Sequence, residues 1–310
     1  MADIVGIGAA VYDILLMVDG YPVEDTKQRA LSSKIQGGGP CATALVAAAK
    51  LGVSAEYLGV VGGDNYGLYI LEEFKRYGVV ADSVRILPGC QSPCTVVLCN
   101  KQNSKRTCIG LQNNLPKLKP EDIPLDRVFK AKILHVDGTQ NEAAVYAAQK
   151  ARERGIKISM DPGSPSLGIE LLLPLADIFI PPEAFVCKFT GKSTAEEGAP
   201  RLYEQFKPEI LVVTQGARGG FLFDGKKIIP YKPFPVEKAE QVIDTNGAGD
   251  VFHGAFDVAL LRGMGPVDAA DFASAVAAIK STRFGAREGI PSYEETIRII
   301  EKYNIKGFFS

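Results

Sequence analysis

The residues best suited to chemistry lie in one string, Asp244-Thr245-Asn246-Gly247-Ala248-Gly249-Asp250, where two glycines one residue apart stand directly before an apolar helical pattern (Phe252, Ala255, Phe256, Ala259, Leu260). A glycine turn entering a helix gathers several backbone N–H groups at the positive end of the helix dipole, which makes an anion hole. Asp250 falls in the first helical turn, where the dipole favours its charged form. An acceptor-only carboxylate beside an anion hole can take a proton from an incoming hydroxyl while a phosphoryl group sits on the amides of Gly247, Ala248 and Gly249. Phosphoryl transfer asks mainly for alignment and charge neutralisation, and this string supplies both. A Gly-x-Gly-Asp string by itself is also the ordinary way to cap a helix after a turn.

Two other phosphate motifs fail on spacing. Gly191-Lys192-Ser193 looks like the end of a P-loop, but Val186 stands where the earlier glycine is required. Gly6-Ile7-Gly8 follows a strand, but Val11 stands at the third position of the dinucleotide fingerprint. Cys90, Cys94 and Cys99 lack a paired second half and a nearby histidine, so they read as small strand hydrophobes rather than metal ligands.

The elements that must position these residues follow a βαβ rhythm. Apolar runs at Ile4–Ile7, 55–61, Ile133–Val136, Lys157–Met160, 178–180 and 210–213 precede helix-like stretches. This predicts an α/β fold, a mostly parallel central sheet flanked by helices, with ligands at the carboxyl ends of its strands. Segments at about 14–36 and 93–112 break the rhythm with extended, more polar sequence and turns at Pro93 and 100–104, and are read as a small β lid within a single α/β domain spanning 1–310. The last third is helical over 250–261, 267–282 and Tyr293–Tyr303.

Length allows one large core, and 35 basic against 36 acidic residues leave a net charge of -1, so no global field recruits nucleic acid or an anionic membrane. The first residues carry no basic n-region and Asp13 soon interrupts them, unlike a secretion signal, which predicts a cytoplasmic protein with reduced thiols.

Several strings together resemble the ribokinase-like (PfkB) carbohydrate kinase family over essentially the whole chain. The 244–250 string is similar to that family's C-terminal signature, which implies Asp250 as base with Gly247, Ala248 and Gly249 on the transferring group. Val5-Gly6 followed by Asp13 matches the family's opening strand and substrate aspartate, and Gln36-Gly37-Gly38-Gly39-Pro40-Cys41-Ala42-Thr43-Ala44 its N-terminal glycine signature. The resemblance implies sugar contacts at Asp13, Gly38, Gly39 and Thr43, the last standing where the family usually has asparagine. The 212–220 string resembles the family's nucleotide-binding strand and turn, implying nucleotide contacts at Thr214, Gly216 and Gly219, with Thr245 and Ser281 nearby. Pro182-Glu183 matches an Asn-Glu pair in part and implies Glu183 around the metal.

ATP and Mg²⁺ are therefore the implied cofactors, and the γ-phosphoryl group would move to a hydroxyl of a sugar or sugar derivative. The 281–291 segment resembles one that borders the adenine and, in many relatives, a monovalent cation such as K⁺ held largely by backbone carbonyls. Gly-Gly-Gly-Pro with Thr43, Asp-Val-Phe-His-Gly-Ala at 250–255 and Lys280-Ser281-Thr282-Arg283 are most similar to the sulfofructose kinase branch. Lys27, Arg29 and Arg106, assigned to lid strands, are placed to meet an anionic group on a ketose, though strand cations also serve simply as solvated edge charges. His253 is expected to pack or bond locally. Pairing of the lids into a homodimer is a further implication. A nucleoside, inositol or vitamin kinase of the same fold, and a ligand sensor without chemistry, are the alternatives.

Overall fold

The computed structural model describes residues 2–163, 168–236 and 241–303. The chain opens with β1 (Ile4–Ile7), β2 (Val11–Val18), β3 (Ser32–Gly38) and α1 (Pro40–Lys50). It continues through β4 (Ala55–Leu58), β5 (Val60–Gly62), α2 (Asn65–Tyr77), β6 (Arg85–Leu87), β7 (Cys94–Asn100) and β8 (Arg106–Gly110). The middle of the chain holds α3 (Leu125–Val128), β9 (Ile133–Val136), α4 (Asn141–Arg152), β10 (Lys157–Met160), β11 (Ile178–Phe179), α5 (Glu183–Thr190), α6 (Ala195–Phe206), β12 (Ile210–Thr214), β13 (Gly220–Phe223) and β14 (Ile228–Tyr231). The described chain ends in α7 (Ala248–Leu261), α8 (Pro266–Ser281) and α9 (Tyr293–Tyr303).

An eight-stranded sheet runs in the order β14-β13-β12-β11-β10-β9-β1-β4. The pairs from β4 to β12 are parallel, and β13 and β14 add an antiparallel edge. β1, β4 and β9 are buried at every position because helices cover both faces. Successive side chains alternate between two apolar cores: Ile4 joins the residues of α1, α7 and α8, while Val5 and Ile7 join those of α4 and α6. Among the described residues, no helix is long and apolar enough to cross a membrane.

A second, four-stranded sheet runs in the order β3-β2-β7-β8 and takes in the segments read in sequence as a lid. Leu15, Met17, Val97 and Cys99 alternate inward to pack with Phe284, which leaves Ile35 and Ile109 exposed on the other face. Expectation and structure differ in three places. The 55–61 run is two strands, because at Gly59 a Cβ would stand 2.2 Å from the Tyr57 ring, and β5 then leaves the main sheet to pair with β6. β3 starts only at Ser32, so Lys27 and Arg29 lie in the connection after β2 rather than in a lid strand. The β13–β14 hairpin was not anticipated, although Asp224-Gly225 between apolar runs, with Gly225 at φ 89, carries a recognisable hairpin signal.

Candidate active site

The anion hole is built by how α7 begins. Gly247 adopts φ 74, and a Cβ there would meet the Ala286 Cβ at 2.7 Å, so both conformation and packing demand glycine. The Ala248 N–H donates to Thr245 O at 3.2 Å and the Val251 N–H to Gly247 O at 2.9 Å. The N–H groups of Gly247, Gly249 and Asp250 meet no acceptor among the described residues. A Cβ at Gly249 would enter open space, so nothing in the protein's own packing requires glycine there. The preceding turn is pinned through the Asp244 carboxylate, which accepts from Asn246 N at 2.8 Å and Gly285 N at 2.9 Å.

Asp250 is half-buried at this helix start, and its carboxyl is pushed up to about 7, first by burial and then by the charge of Asp161, with Arg106 pulling the other way. The expectation that the helix dipole would dominate is therefore corrected: desolvation and a like charge outweigh it. Asp13 is buried on β2 and is likewise raised to about 7, by burial first, with Arg287 opposing and Asp250 adding to the rise. The two carboxylates thus lie within electrostatic reach of each other.

Two further acids sit at the carboxyl ends of parallel strands. Asp137, after β9, accepts from Ala9 N at 2.7 Å and Cys41 N at 3.0 Å, tying the end of β1 to the start of α1. Asp161, after β10, accepts from Gly163 N at 2.8 Å and lies 3.4 Å from His253 Nε2. Burial pushes Asp161 up to about 6 and drives His253 down to about 3, so the imidazole is neutral. His253 packs against His135, which pairs with buried Asp257 at 3.0 Å. Asp137 and Asp161 were missed in sequence, although a carboxylate just past a parallel strand is the position where ligands are expected.

The glycine turn on the other side is shaped by its neighbours. A Cβ at Gly38 would fall 2.0 Å from Asp13 Oδ2, and Gly39 takes φ 90 against the Ala9 carbonyl. Arg287 and Glu73, both buried, lie beneath the turn: Glu73 Oε2 accepts from Gly37 N at 2.8 Å and from Arg287 Nη1 at 2.5 Å. Thr43 is buried and its hydroxyl accepts from Arg287 Nε at 3.3 Å, so this side chain is engaged by protein rather than free to meet a substrate.

On the opposite side, Thr214 ends β12 and Gly216 follows at φ 61 with open space at its Cβ. Gly219 differs, since a Cβ there would stand 2.7 Å from Tyr231 O, which is a packing requirement. Ser281 turns its hydroxyl back to Ala277 O at 2.8 Å, while its carbonyl accepts from Ile243 N and Asp244 N, so it holds the loop before α7 through its backbone. Thr245 donates to Ser104 O at 3.3 Å, and Ser104 donates to Val242 O at 3.2 Å, joining the β7–β8 hairpin to the loop before α7.

Glu183 begins α5 with its carboxylate held by Arg218 and by Gln215 Nε2. Each oxygen accepts one of these bonds and keeps a lone pair for a further partner, and among the described residues no group of three or more His, Cys, Asp or Glu side chains is arranged to hold a metal. A single carboxylate such as Asp161 still fits a Mg²⁺ ion arriving on phosphates, because that ion keeps several waters and needs only one or two carboxylates.

The cations assigned to the lid separate. Arg106 reaches the loop before α7, its Nη1 donating to Thr245 O at 3.4 Å. Lys27 is exposed and makes no hydrogen bond or ion pair among the described residues. Cys94 and Cys99 are buried and Cys90 half-buried.

Residues 1–292 match the family model described as pfkB family carbohydrate kinase. The chain is 30% identical over 278 residues to a ribokinase of Haemophilus influenzae, covering 86% of this chain and 88% of that one. It is 26% identical over 284 residues to the ketohexokinase of Mus musculus, covering 88% and 94% respectively. Among solved structures, ribokinase of Arabidopsis thaliana complexed with ribose and ATP superposes with a TM-score of 0.83 at 25% identity, covering 97% of this chain and 99% of that one.

Proposed function

This chain belongs to the pfkB family of carbohydrate kinases, phosphotransferases with an alcohol acceptor, and we propose from that premise that Asp250 is the base for transfer of the ATP γ-phosphoryl group to a sugar-like hydroxyl. The observation that carries this reading is the Asp250 carboxylate seated beside the unpaired N–H groups at the start of α7 and within electrostatic reach of Asp13. The acceptor O–H bond breaks toward Asp250, the oxygen forms a bond to the γ-phosphorus, and the bond from that phosphorus to the bridging oxygen breaks to release ADP. The amides of Gly247, Ala248 and Gly249 receive the charge of the transferring group. Bound Mg²⁺ would supply charge neutralisation on the phosphates, with Glu183 as a carboxylate that would help hold it, while its Arg218 and Gln215 partners fix the nucleotide-side turn at Thr214 and Gly216.

Asp13, with Gly38 and Gly39 beside it, binds the acceptor hydroxyls, and Thr43 acts on that pocket through Arg287. The acceptor carries an anionic group, as in a phosphorylated or sulfonated ketose, and Arg106 is the lid cation nearest the catalytic loop. Lys27 adds to this charge from the connection after β2. Contacts from the lid hairpin to Thr245 and Val242 support closure that keeps water from the transferring group. The active unit is a homodimer joined through the lid.

The decisive test is Asp250→Asn, assayed for ADP release over a panel of sugars, sugar phosphates and sugar sulfonates. Turnover should fall by about 10²–10⁴-fold while nucleotide binding and cooperative unfolding persist. Turnover near that of the unaltered protein would remove Asp250 from the role of base.

A further inference from the structure

Backbone carbonyls collect where the 280–289 segment faces the catalytic loop, and sequence resemblance placed a monovalent cation among such carbonyls. The structure shows another arrangement. Lys280 is 0% exposed, and its Nζ donates to Asp244 O at 2.9 Å and to Asn246 O. Phe284 O accepts from Lys34 Nζ at 3.2 Å, Arg287 O and Glu288 O accept from Lys50 Nζ at 3.1 and 3.0 Å, and Gly289 O accepts from Arg283 Nη1 at 3.3 Å. The residues present do not fit an alkali ion, because side-chain cations already hold the carbonyls that would ligate one.

We infer that Lys280 is a built-in cation of the catalytic loop, acting as a positioning residue in place of a bound alkali ion, so that turnover needs neither K⁺ nor Na⁺. An ammonium group and a potassium ion present the same thing to a carbonyl: a compact positive charge that draws two or more oxygens inward. Drawing in the carbonyls of Asp244 and Asn246 turns the following amides of the loop outward, toward the anion hole at Gly247–Asp250. The Asp244 carboxylate supplies the counter-charge that makes a buried ammonium tolerable. Burial pulls Lys280 down to about 8, so it remains largely protonated at neutral pH. A covalently tethered charge cannot dissociate, so the loop is set whatever the ionic composition of the medium.

This inference rests on the phosphotransfer reading above, and the experiment separates the two. The protein is assayed with ATP and MgCl₂ in a tetramethylammonium buffer free of alkali ions, then with KCl or NaCl replacing tetramethylammonium chloride at constant ionic strength. The expected change is within about twofold, since ionic strength is matched. Activation of about tenfold or more by K⁺ would overturn the inference while leaving the kinase reading intact; absence of ADP release with every cation and acceptor would count against the kinase reading itself.

Lys280→Ala supplies the second arm, with its unfolding midpoint measured alongside. Turnover should drop by about 10²-fold on loss of a positioned charge, and ammonium, methylammonium or K⁺ should restore part of it. Full turnover of Lys280→Ala in alkali-free buffer, or a folded variant that no cation rescues, would overturn the inference. If this variant does not fold, the alkali-ion titration of the unaltered protein decides alone.

Discussion

Arg287 Nη2 donates to the Gly38 carbonyl at 2.8 Å, so a side chain from the segment after α8 fixes the glycine turn that faces Asp13. The same guanidinium meets Glu73 at 2.5 Å with both groups buried, and Gln36 Oε1 accepts from Ala286 N at 2.9 Å beside it. One short stretch therefore touches the acceptor turn through Gln36 and Gly38 and the catalytic loop through the Gly285 bond to Asp244. The Gly37–Gly39 turn and the start of α7 are braced by the same backbone.

Removing one member of that buried pair leaves the other uncompensated. Arg287→Met should destabilise the protein by about 3–5 kcal/mol in urea unfolding, and adding Glu73→Gln should recover much of the loss. The KM for the acceptor should rise more than that for ATP, since the Gly38 carbonyl loses its donor. A single variant within about 1 kcal/mol of the parent would show that the pair does not hold the turn.

The raised carboxyl of Asp250 sets the acid side of the pH profile. A base must be ionised, so kcat/KM should fall about tenfold per unit as pH drops below about 7. Asp161 raises Asp250, so Asp161→Asn should move the acid limb to lower pH; Arg106 lowers it, so Arg106→Met should move the limb up. Stability has its own sign. A carboxyl with a folded value above its unfolded one weakens the fold increasingly as pH rises from the unfolded value to the folded one, with the full penalty above the folded value and none below the unfolded value. Asp250→Asn should therefore stabilise the protein more at pH about 8 than at pH about 4. Acid limbs that do not move in these opposite directions would dissociate the profile from Asp250.

Sequence made much of this legible and left identifiable parts hidden. The parallel strands and the glycine turn into α7 are local patterns, and their signals survive in a single chain. Hidden were partners drawn from distant segments: Arg287 lies 249 residues from the Gly38 carbonyl that it binds, and Lys280 lies 36 from Asp244. Nothing in the period of α8 says that Lys280 turns inward. Residue type also misled where the backbone does the work, as at Ser281, whose carbonyl rather than hydroxyl holds the catalytic loop. At Gly219 the demand for glycine comes from Tyr231, a residue of the hairpin that was not foreseen.

The two glycines before Asp250 should respond differently to a methyl group. At Gly247, with φ 74 and Ala286 at 2.7 Å, Gly247→Ala should lower stability by at least about 1–2 kcal/mol. At Gly249 the added Cβ meets nothing, so Gly249→Ala should leave stability within about 0.5 kcal/mol. Its methyl group would occupy space meant for the transferring phosphoryl group, so turnover should still fall by about tenfold or more. Thermal melts and ADP-release rates on both variants check the contrast, and an active Gly249→Ala would place the phosphates elsewhere.

The outer face of the lid has a composition that water disfavours. Ile35 on β3 is 49% exposed and Ile109 on β8 is 53% exposed, with Ile14 and Val96 between them in register. Leu31, at 54%, and Leu111, at 43%, extend the apolar surface past the strand ends. A second lid is the occupant that such a face fits, since two copies of one sheet present the same apolar area to each other. Sedimentation at micromolar protein should therefore give twice the mass of one chain, and Ile35→Lys with Ile109→Lys should reduce it to one. Each lysine would bring an unpaired charge into a desolvated surface, a penalty that a standard interface of about 800 Å² per partner cannot absorb twice. A parent protein that sediments as a single chain at tens of micromolar would end the case for lid pairing, leaving the exposed isoleucines without that role.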